Sequence, residues 1–326
     1  MDILFLDSSP SSHHERFVEL FSTLGSVHSV YLDLHQEPPA LQFDLVVFAD
    51  LDITVDYAMK FSAPKVGLSW AWDLQQTLRQ GFAVEEKLKK SLDSVEILIV
   101  DCIQVERIAR EFGVNESQIF RAPYGINLEK YPLRKTKNIG TGTLRLYTNR
   151  RWENIYRPRI ILEMAQEMYN SGNLFELTLA NDGTLREPLI KEYSSLFESG
   201  SCSWIGKISQ NQNIYELEKA DLYISVSSCD GSSLSLLESM AIGVPSLVTD
   251  IPENREWIQN DLSGYLFSGN SGLELADKVL SIDLNSCHQK NLVDLSRDKV
   301  AKEADWSTIR KRLIEKVLKI LNQSTH

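Results

Sequence analysis

No apolar run in this chain approaches the roughly 20 residues that cross a bilayer as a helix, so no transmembrane segment is expected. Cysteine is scarce. Cys102, Cys202, Cys229 and Cys287 stand far apart and form no CxxC pair, which reads as free thiols in a reducing compartment. Positive charge is short as well: 34 Lys and Arg stand against 45 Asp and Glu, for a net charge of -11. A chain so acidic is a poor partner for nucleic acid or an anionic bilayer surface. No GxGxxG follows the first apolar run, which disfavours an NAD enzyme. There is no solenoid-type repeat and no low-complexity tract. The opening MDILFLDSS lacks the basic flank of a secretory leader and is expected to be a strand, with the protein in the cytoplasm.

What is present is an ordinary globular composition, 43% hydrophobic and 24% charged over 326 residues, enough for two sizeable cores. Apolar runs of strand length recur at 1–6, 27–32, 43–48, 66–70, 97–100 and 119–122, with helical spacing at 15–24, 84–92 and 105–112. A polar stretch at 134–143 reads as a linker. The pattern then restarts, with strands at 144–148, 175–180, 202–205, 222–226 and 246–249. Strands alternating with helices imply parallel sheets covered on both faces. The expected division is 1–139, 140–305, and a final helix at 306–326 with apolar Ile309, Leu313, Val317 and Leu321.

The stretch 221–257, DLYISVSSCDGSSLSLLESMAIGVPSLVTDIPENREW, organises the rest. It reads as a strand, a turn of small residues, a helix stopped by Gly243-Val244-Pro245, and a second strand. A helix that starts after such a turn aims free backbone N–H groups and positive dipole charge at one spot. Gly231, Ser232, Ser233 and Leu234 are therefore expected to seat a phosphate. Asp230 and Glu238 bracket that seat, one in the turn and one about a turn into the helix. The plain alternative is an ordinary βαβ turn with a capping Asp or Ser.

Taken whole, the stretch resembles the carboxylate–x7–carboxylate segment of the family 4 glycosyltransferases, whose pattern is roughly S..EGFGL..LEAMA.G.PVV.S. Ser228, Asp230-Gly231, Leu234, Leu237-Glu238-Ser239-Met240-Ala241, Gly243 and Pro245 fall in register. Asp230 stands where the family usually has Glu, and Ser232-Ser233 replace Phe-Gly. Pro123-Tyr124-Gly125-Ile126-Asn127 is similar to the P-N-G-V-D that marks the exit from the family's first domain. The resemblance implies the α/β GT-B fold: two doubly wound Rossmann-like domains facing a central cleft, with the last helix crossing back to the first. It implies transfer of a sugar from a nucleotide-diphosphate donor to an acceptor hydroxyl, with retention at the anomeric carbon. It requires no metal or other cofactor beyond the nucleotide sugar as co-substrate. Against that resemblance, the acidic balance of the first 130 residues points to weak membrane association at most, and to a saccharide, a small molecule or a protein hydroxyl as acceptor.

The resemblance also carries residue roles. Glu238 would accept the ribose hydroxyls and Asp230 would contact the donor sugar. Arg151 with Arg157 is the nearest match to the family's diphosphate-binding pair, with Arg150 the alternate and a basic surface loop the plain reading. Asp182 lies in the loop that shapes the sugar pocket, and Gly206 and Lys207 lie near the place of the base. The first domain departs from the pattern. It lacks the family's Gly-Gly after the first strand and its His after the fourth. In their places stand a loop containing Ser9, and Trp70, Trp72 and Asp73. These residues line the acceptor side, or the tryptophans are core and the Asp a helix cap. Two rival readings remain. Asp50-Leu51-Asp52 follows a strand, as does the metal-binding DxD of the GT-A enzymes. A non-catalytic sugar-nucleotide or glycan-binding homologue would also fit Asp230 in place of Glu.

Overall fold

The computed structural model of the chain describes residues 1–38, 40–71, 73–75, 82–134, 142–284 and 288–324. Trp72, Cys287 and most of the expected linker lie outside the described residues. The chain divides into two compact units: residues 1–124 with the helix Trp306–Ser324, and residues 125–305.

The first unit is built on six parallel strands: β1 (Asp2–Asp7), β2 (Ser26–Tyr31), β3 (Leu45–Ala49), β4 (Lys65–Leu68), β5 (Ile97–Val100) and β6 (Ile119–Arg121). Their order is β2-β1-β3-β4-β5-β6. Successive side chains on a strand leave opposite faces, so continuous apolar runs require cover on both. Leu4, Val46 and Phe48 pack with Leu51, Val55, Leu88, Leu92, Val105 and Ile108 on one side. Ile3, Phe5 and Val47 pack on the other with Phe17, Leu20 and Phe21, and with Ile309, Leu313 and Val317 of the last helix. Each fully buried aliphatic side chain contributes about 1.5–3 kcal/mol, so this helix is held firmly to the first sheet.

The helix Leu51–Ala58 was not legible as one. Its β-branched Ile53, Thr54 and Val55 imitate a strand, yet Leu51, Thr54, Val55 and Ala58 fall on one helical face and are buried together. Asp50 precedes it in the left-handed region (φ 50°), so Asp50, Leu51 and Asp52 do not form an extended DxD.

The second unit carries β7 (Leu144–Thr148), β8 (Phe175–Leu179), β9 (Cys202–Trp204), β10 (Leu222–Ser225), β11 (Ser246–Thr249) and β12 (Tyr265–Phe267), also parallel. The order is β12-β11-β10-β7-β8-β9. The chain winds outward from β7 to β9, then returns to place β10 on the other side of β7. This reversal opens a crevice at the carboxyl ends of β7 and β10. The corresponding reversal in the first unit lies between β1 and β3.

The helix Leu234–Ile242 follows β10 and is buried almost all round. It ends at Gly243 (φ 84°), where a side chain would collide with Leu133 and Val293, at 2.6 and 2.8 Å from the added carbon. Residues 125–134 already pack with this unit, ahead of the expected boundary at 139/140. The Ile126 N–H donates to Ala304 O at 2.6 Å, the Arg134 N–H donates to Ile242 O at 2.9 Å, and Tyr131 is buried beside Tyr147, Tyr223 and Leu237.

Candidate functional site

Two loops meet at the β7/β10 reversal. The loop after β7 supplies Arg150, which donates from Nη2 to Asp230 Oδ2 at 2.6 Å and from Nη1 to Ser233 Oγ at 2.7 Å. The Tyr156 ring lies 4.3 Å from the guanidinium carbon. The two charged side chains are only 10% and 14% exposed. Burial opposes the charge on Arg150, but Asp230 and the neighbouring phenols outweigh it and hold the guanidinium above its ordinary value. Burial raises the Asp230 carboxyl, against Arg150, the Gly231 N–H and the Ser227 and Ser233 hydroxyls. At this separation the pair is ionised.

The helix begins beside this pair. Ser233 is its extended N-cap and makes no side-chain cap to the first turn. The N–H groups of Leu234, Ser235 and Leu236 have no intrahelical acceptor, and they open next to the Arg150 guanidinium. The arrangement is one of fixed donors and positive charge, suited to an anion.

Glu238 lies behind it in a buried polar network. Its Oε1 accepts from the Tyr131 hydroxyl at 2.6 Å and its Oε2 from Asn213 Nδ2 at 2.8 Å. Asn213 Oδ1 in turn accepts from the Tyr147 hydroxyl at 2.8 Å and Asn149 Nδ2 at 2.9 Å. The Tyr223 hydroxyl donates to Asn149 Oδ1 at 3.0 Å. Asn149 adjoins Arg150 along the chain, so the network around Glu238 and the Arg150–Asp230 pair meet at neighbouring residues. Burial pushes the Tyr223 phenol up to about 12. The sequence reading missed Tyr131, Asn149, Asn213, Tyr147 and Tyr223. None belongs to a motif, and only the position of Asn149 directly after a strand offered a signal.

Of the three arginines, the structure brings Arg150 and Arg157 to the loop after β10, while Arg151 is exposed. Arg150, the alternate, is thus the one beside Asp230, and Arg151 lies on the exposed side of the loop. Arg157 adopts a left-handed conformation (φ 48°) before Pro158. Its Nε donates to Val226 O at 2.5 Å and its Nη1 to Asn270 Oδ1 at 3.0 Å. Burial holds its guanidinium below the ordinary value.

Asp182 is partly exposed and shapes its own loop. It accepts from the Gly183 N–H at 2.9 Å and pairs with Arg186 at 3.1 Å. Gly206 O accepts from the Asn181 N–H at 2.7 Å, and Lys207 is exposed. In the first unit Ser9 is exposed, and it is the neighbouring Ser8 that turns inward. Trp70 is half-buried and stacks near Tyr124, at 5.8 Å between ring centroids. Asp73 is buried, accepting from Ser69 Oγ at 2.6 Å and from the Leu51 N–H at 3.2 Å. Among the described residues no three His, Cys, Asp or Glu side chains are grouped to hold a metal ion, and no helix is long and apolar enough to cross a membrane.

The family described as glycosyl transferases group 1 matches residues 134–298, half of the chain, a span that contains the Arg150–Asp230 pair and Glu238. A glycogen synthase from Mycobacterium tuberculosis is 22% identical over 247 residues, 76% of this chain and 59% of that protein. The chain spans between 20% and 59% of the length of the curated relatives it matches. Among solved structures, sucrose-phosphate synthase from Thermosynechococcus elongatus superposes with a TM-score of 0.78 at 13% identity, covering 99% of this chain and 100% of that one. Anabaena HepE in complex with UDP-glucose gives 0.75 at 13% identity, over 98% and 100%. These likenesses concern the fold, two Rossmann-like units of the GT-B type.

Proposed function

The chain belongs to the glycosyl transferases group 1 family, and on that premise we propose that it moves a sugar from a nucleotide-diphosphate sugar to an acceptor hydroxyl. The observation that carries this reading is the meeting of Arg150, Asp230 and an uncapped helix start at the β7/β10 reversal. A diphosphate fits there. Its oxygens take the amides of Leu234 and its neighbours, with the Arg150 and Arg157 guanidinium groups as fixed positive charge. Negative charge grows on the leaving diphosphate as the glycosidic bond breaks, so donors already in place lower the barrier without reorganising. Asp230 is held at the edge of this seat, within reach of the sugar bound to it. Glu238 has both oxygens engaged by Tyr131 and Asn213, but an ionised carboxylate offers about four acceptor sites. It can therefore still accept a ribose hydroxyl.

The finer reading places the enzyme with the retaining family 4 glycosyltransferases, acting in the cytoplasm without a metal and with weak membrane association at most. The conserved sign of charge at Asp230 supports it, as does a phosphate seat made of arginines and amides. In the first 130 residues 20 Asp and Glu stand against 11 Lys and Arg, a balance that opposes an anionic leaflet. The acceptor is a saccharide, a small molecule or a protein hydroxyl.

The UDP-glucose bound to HepE makes uridine nucleotide sugars the first donors to test. The full chain is incubated with UDP- and GDP-sugars, and release of nucleoside diphosphate is followed alongside the shift in melting temperature. Release with at least one donor, lost in Arg150→Ala, is expected. Binding with no release under any acceptor condition would return the protein to the non-catalytic homologue. No binding at all would sink the site.

A further inference from the structure

The last helix carries charge of the opposite sign to the rest of the chain. Residues 306–326 hold five Lys and Arg against one Glu, in a protein of net charge -11. Ile309, Leu313 and Val317 are buried against the first sheet. Arg312, Lys316 and Lys319 stand at i, i+4 and i+7, so they form a row about 10 Å long on one face of the helix. β6 is the edge strand of the sheet. Between that edge and the row lies a groove of about 850 Å³, lined by the three cations with Phe120, Ser117 and Ile320. Glu96 and Glu315 also line it. Glu96 immediately precedes β5, and Ser117 lies two residues before β6, so the groove reaches the amino ends of these parallel strands. The ligand crevices of open α/β sheets lie at the carboxyl ends, and this is a separate place.

The cations of the row are underused. The Arg312 guanidinium carbon lies 5.7 Å from the Phe120 ring centroid, and Lys316 Nζ lies 5.8 Å from it. Lys316 Nζ donates to Ile119 O at 2.8 Å, which covers one carbonyl of the sheet edge and engages one of the ammonium's three donors. Among the described residues neither Arg312 nor Lys319 forms an ion pair or a hydrogen bond. The two carboxylates do not neutralise the row. Glu96 accepts from the Lys65 N–H, Glu315 is exposed, and among the described residues neither pairs with any of the three cations. Burial, and then the charge of Lys319, hold the Lys316 ammonium below its ordinary value, as expected where positive charge gathers without a counter-ion.

We propose that this groove binds a small organic phosphate, its phosphoryl oxygens on Arg312, Lys316 and Lys319 and the esterified part lying along Phe120 and Ile320. A guanidinium fork takes two oxygens of one phosphate, and the ammonium groups add point charges beside it. The groove is far larger than a phosphate ion and within the range of small-molecule pockets, so the rest of an ester has room. A bilayer or a polynucleotide is a poorer match, because each would extend past the row onto a unit whose first 130 residues carry 20 Asp and Glu against 11 Lys and Arg. The site lies outside residues 134–298, the span shared with the family, and does not rest on the transferase reading.

The probe is phenyl phosphate, titrated by saturation-transfer NMR against the full chain, with inorganic phosphate as competitor and benzyl alcohol as the uncharged control. Phenyl phosphate is expected to bind with a Kd below about 10 mM, at least about three-fold tighter than inorganic phosphate, and benzyl alcohol not to bind. The double variant Arg312→Gln, Lys319→Gln should weaken the probe by about ten-fold or more. Both side chains are exposed and unpaired among the described residues, so the variant should fold. Lys311→Gln, on the same helix but off the lining, should bind like wild type. Four results overturn the proposal: no binding below about 10 mM, undiminished binding in the double variant, equal loss in Lys311→Gln, or inorganic phosphate or benzyl alcohol binding as well as the ester. Flotation with phosphatidylcholine vesicles containing phosphatidylglycerol tests the other source of phosphate. No co-flotation is expected, and co-flotation lost in the double variant would assign the groove to a lipid headgroup and overturn the reading of a free ester.

Discussion

Arg150 and Asp230, 80 residues apart in sequence, close the carboxyl ends of β7 and β10 with a 2.6 Å ion pair. Arg150 makes a second bond to Ser233 at the helix start, so one guanidinium fixes both the acidic turn and the anion seat. The pair contributes to the fold and to the site at once, and its removal can be read in both.

Arg150→Ala leaves Asp230 buried without its cation. Breaking a largely buried pair from one side costs about 3–5 kcal/mol. The double variant Arg150→Ala, Asp230→Asn should regain most of the lost melting temperature while nucleotide binding stays lost. A single variant that melts like wild type would show the pair to be incidental.

Glu238→Gln turns one oxygen into an amide donor that faces Tyr131 or Asn213, both of which already donate. A stability loss of about 1–3 kcal/mol is expected from the mismatched donor. Donor affinity should fall as well, by about 1.5–3 kcal/mol for the charge-assisted bond to the ribose. Calorimetric titration with the productive nucleotide sugar checks the second effect, and an unchanged dissociation constant would remove Glu238 from the binding role.

Arg157→Ala should lower kcat on the order of 10²-fold, the cost of one fixed donor to the leaving group. Arg151→Ala, on the exposed side of the same loop, should change kcat by less than about three-fold. Steady-state rates on the two variants decide the assignment, and the reverse ranking would restore Arg151.

The acids of the first unit make its stability depend on pH. Asp50 is held up at about 7 and Asp73 at about 6 against an ordinary 3.8, burial being the main cause in both. The unfolded chain loses these protons near pH 4 and the folded unit only near pH 6–7. Stability is therefore greatest below about pH 4 for these groups, falls as pH rises through that window, and stays reduced above it. Asp50→Asn removes one such penalty, and Asn tolerates the left-handed backbone there. It should raise the melting temperature at pH 8, by a gain on the order of 1–3 kcal/mol, and change little at pH 4. Equal shifts at the two pH values would contradict the assignment.

Turnover should survive EDTA, because the proposed seat uses guanidinium and amide donors in place of a divalent ion. Activity abolished by EDTA and restored by Mn²⁺ would overturn that part of the proposal.

The sequence by itself determined the alternation of strand and helix, the two parallel sheets, and the βαβ unit at 221–257 with Asp230 and Glu238 in their order. These are local properties: an apolar run, a turn of small residues and a glycine that ends a helix each act within a few residues. The helix Leu51–Ala58 escaped notice because its β-branched residues carry a strand-like local preference that burial of one helical face overrides. Tertiary structure alone decided the rest. Nothing local tells Arg150 from Arg151, or Ser8 from Ser9. Adjacent residues of a loop face opposite ways, and which one turns inward depends on a partner 80 residues away for Arg150 and 42 for Ser8. Tyr131 reaches Glu238 across 107 residues. Strand order is set by packing both faces of the sheet, and that order, with no motif to announce it, is what assembles the polar groups.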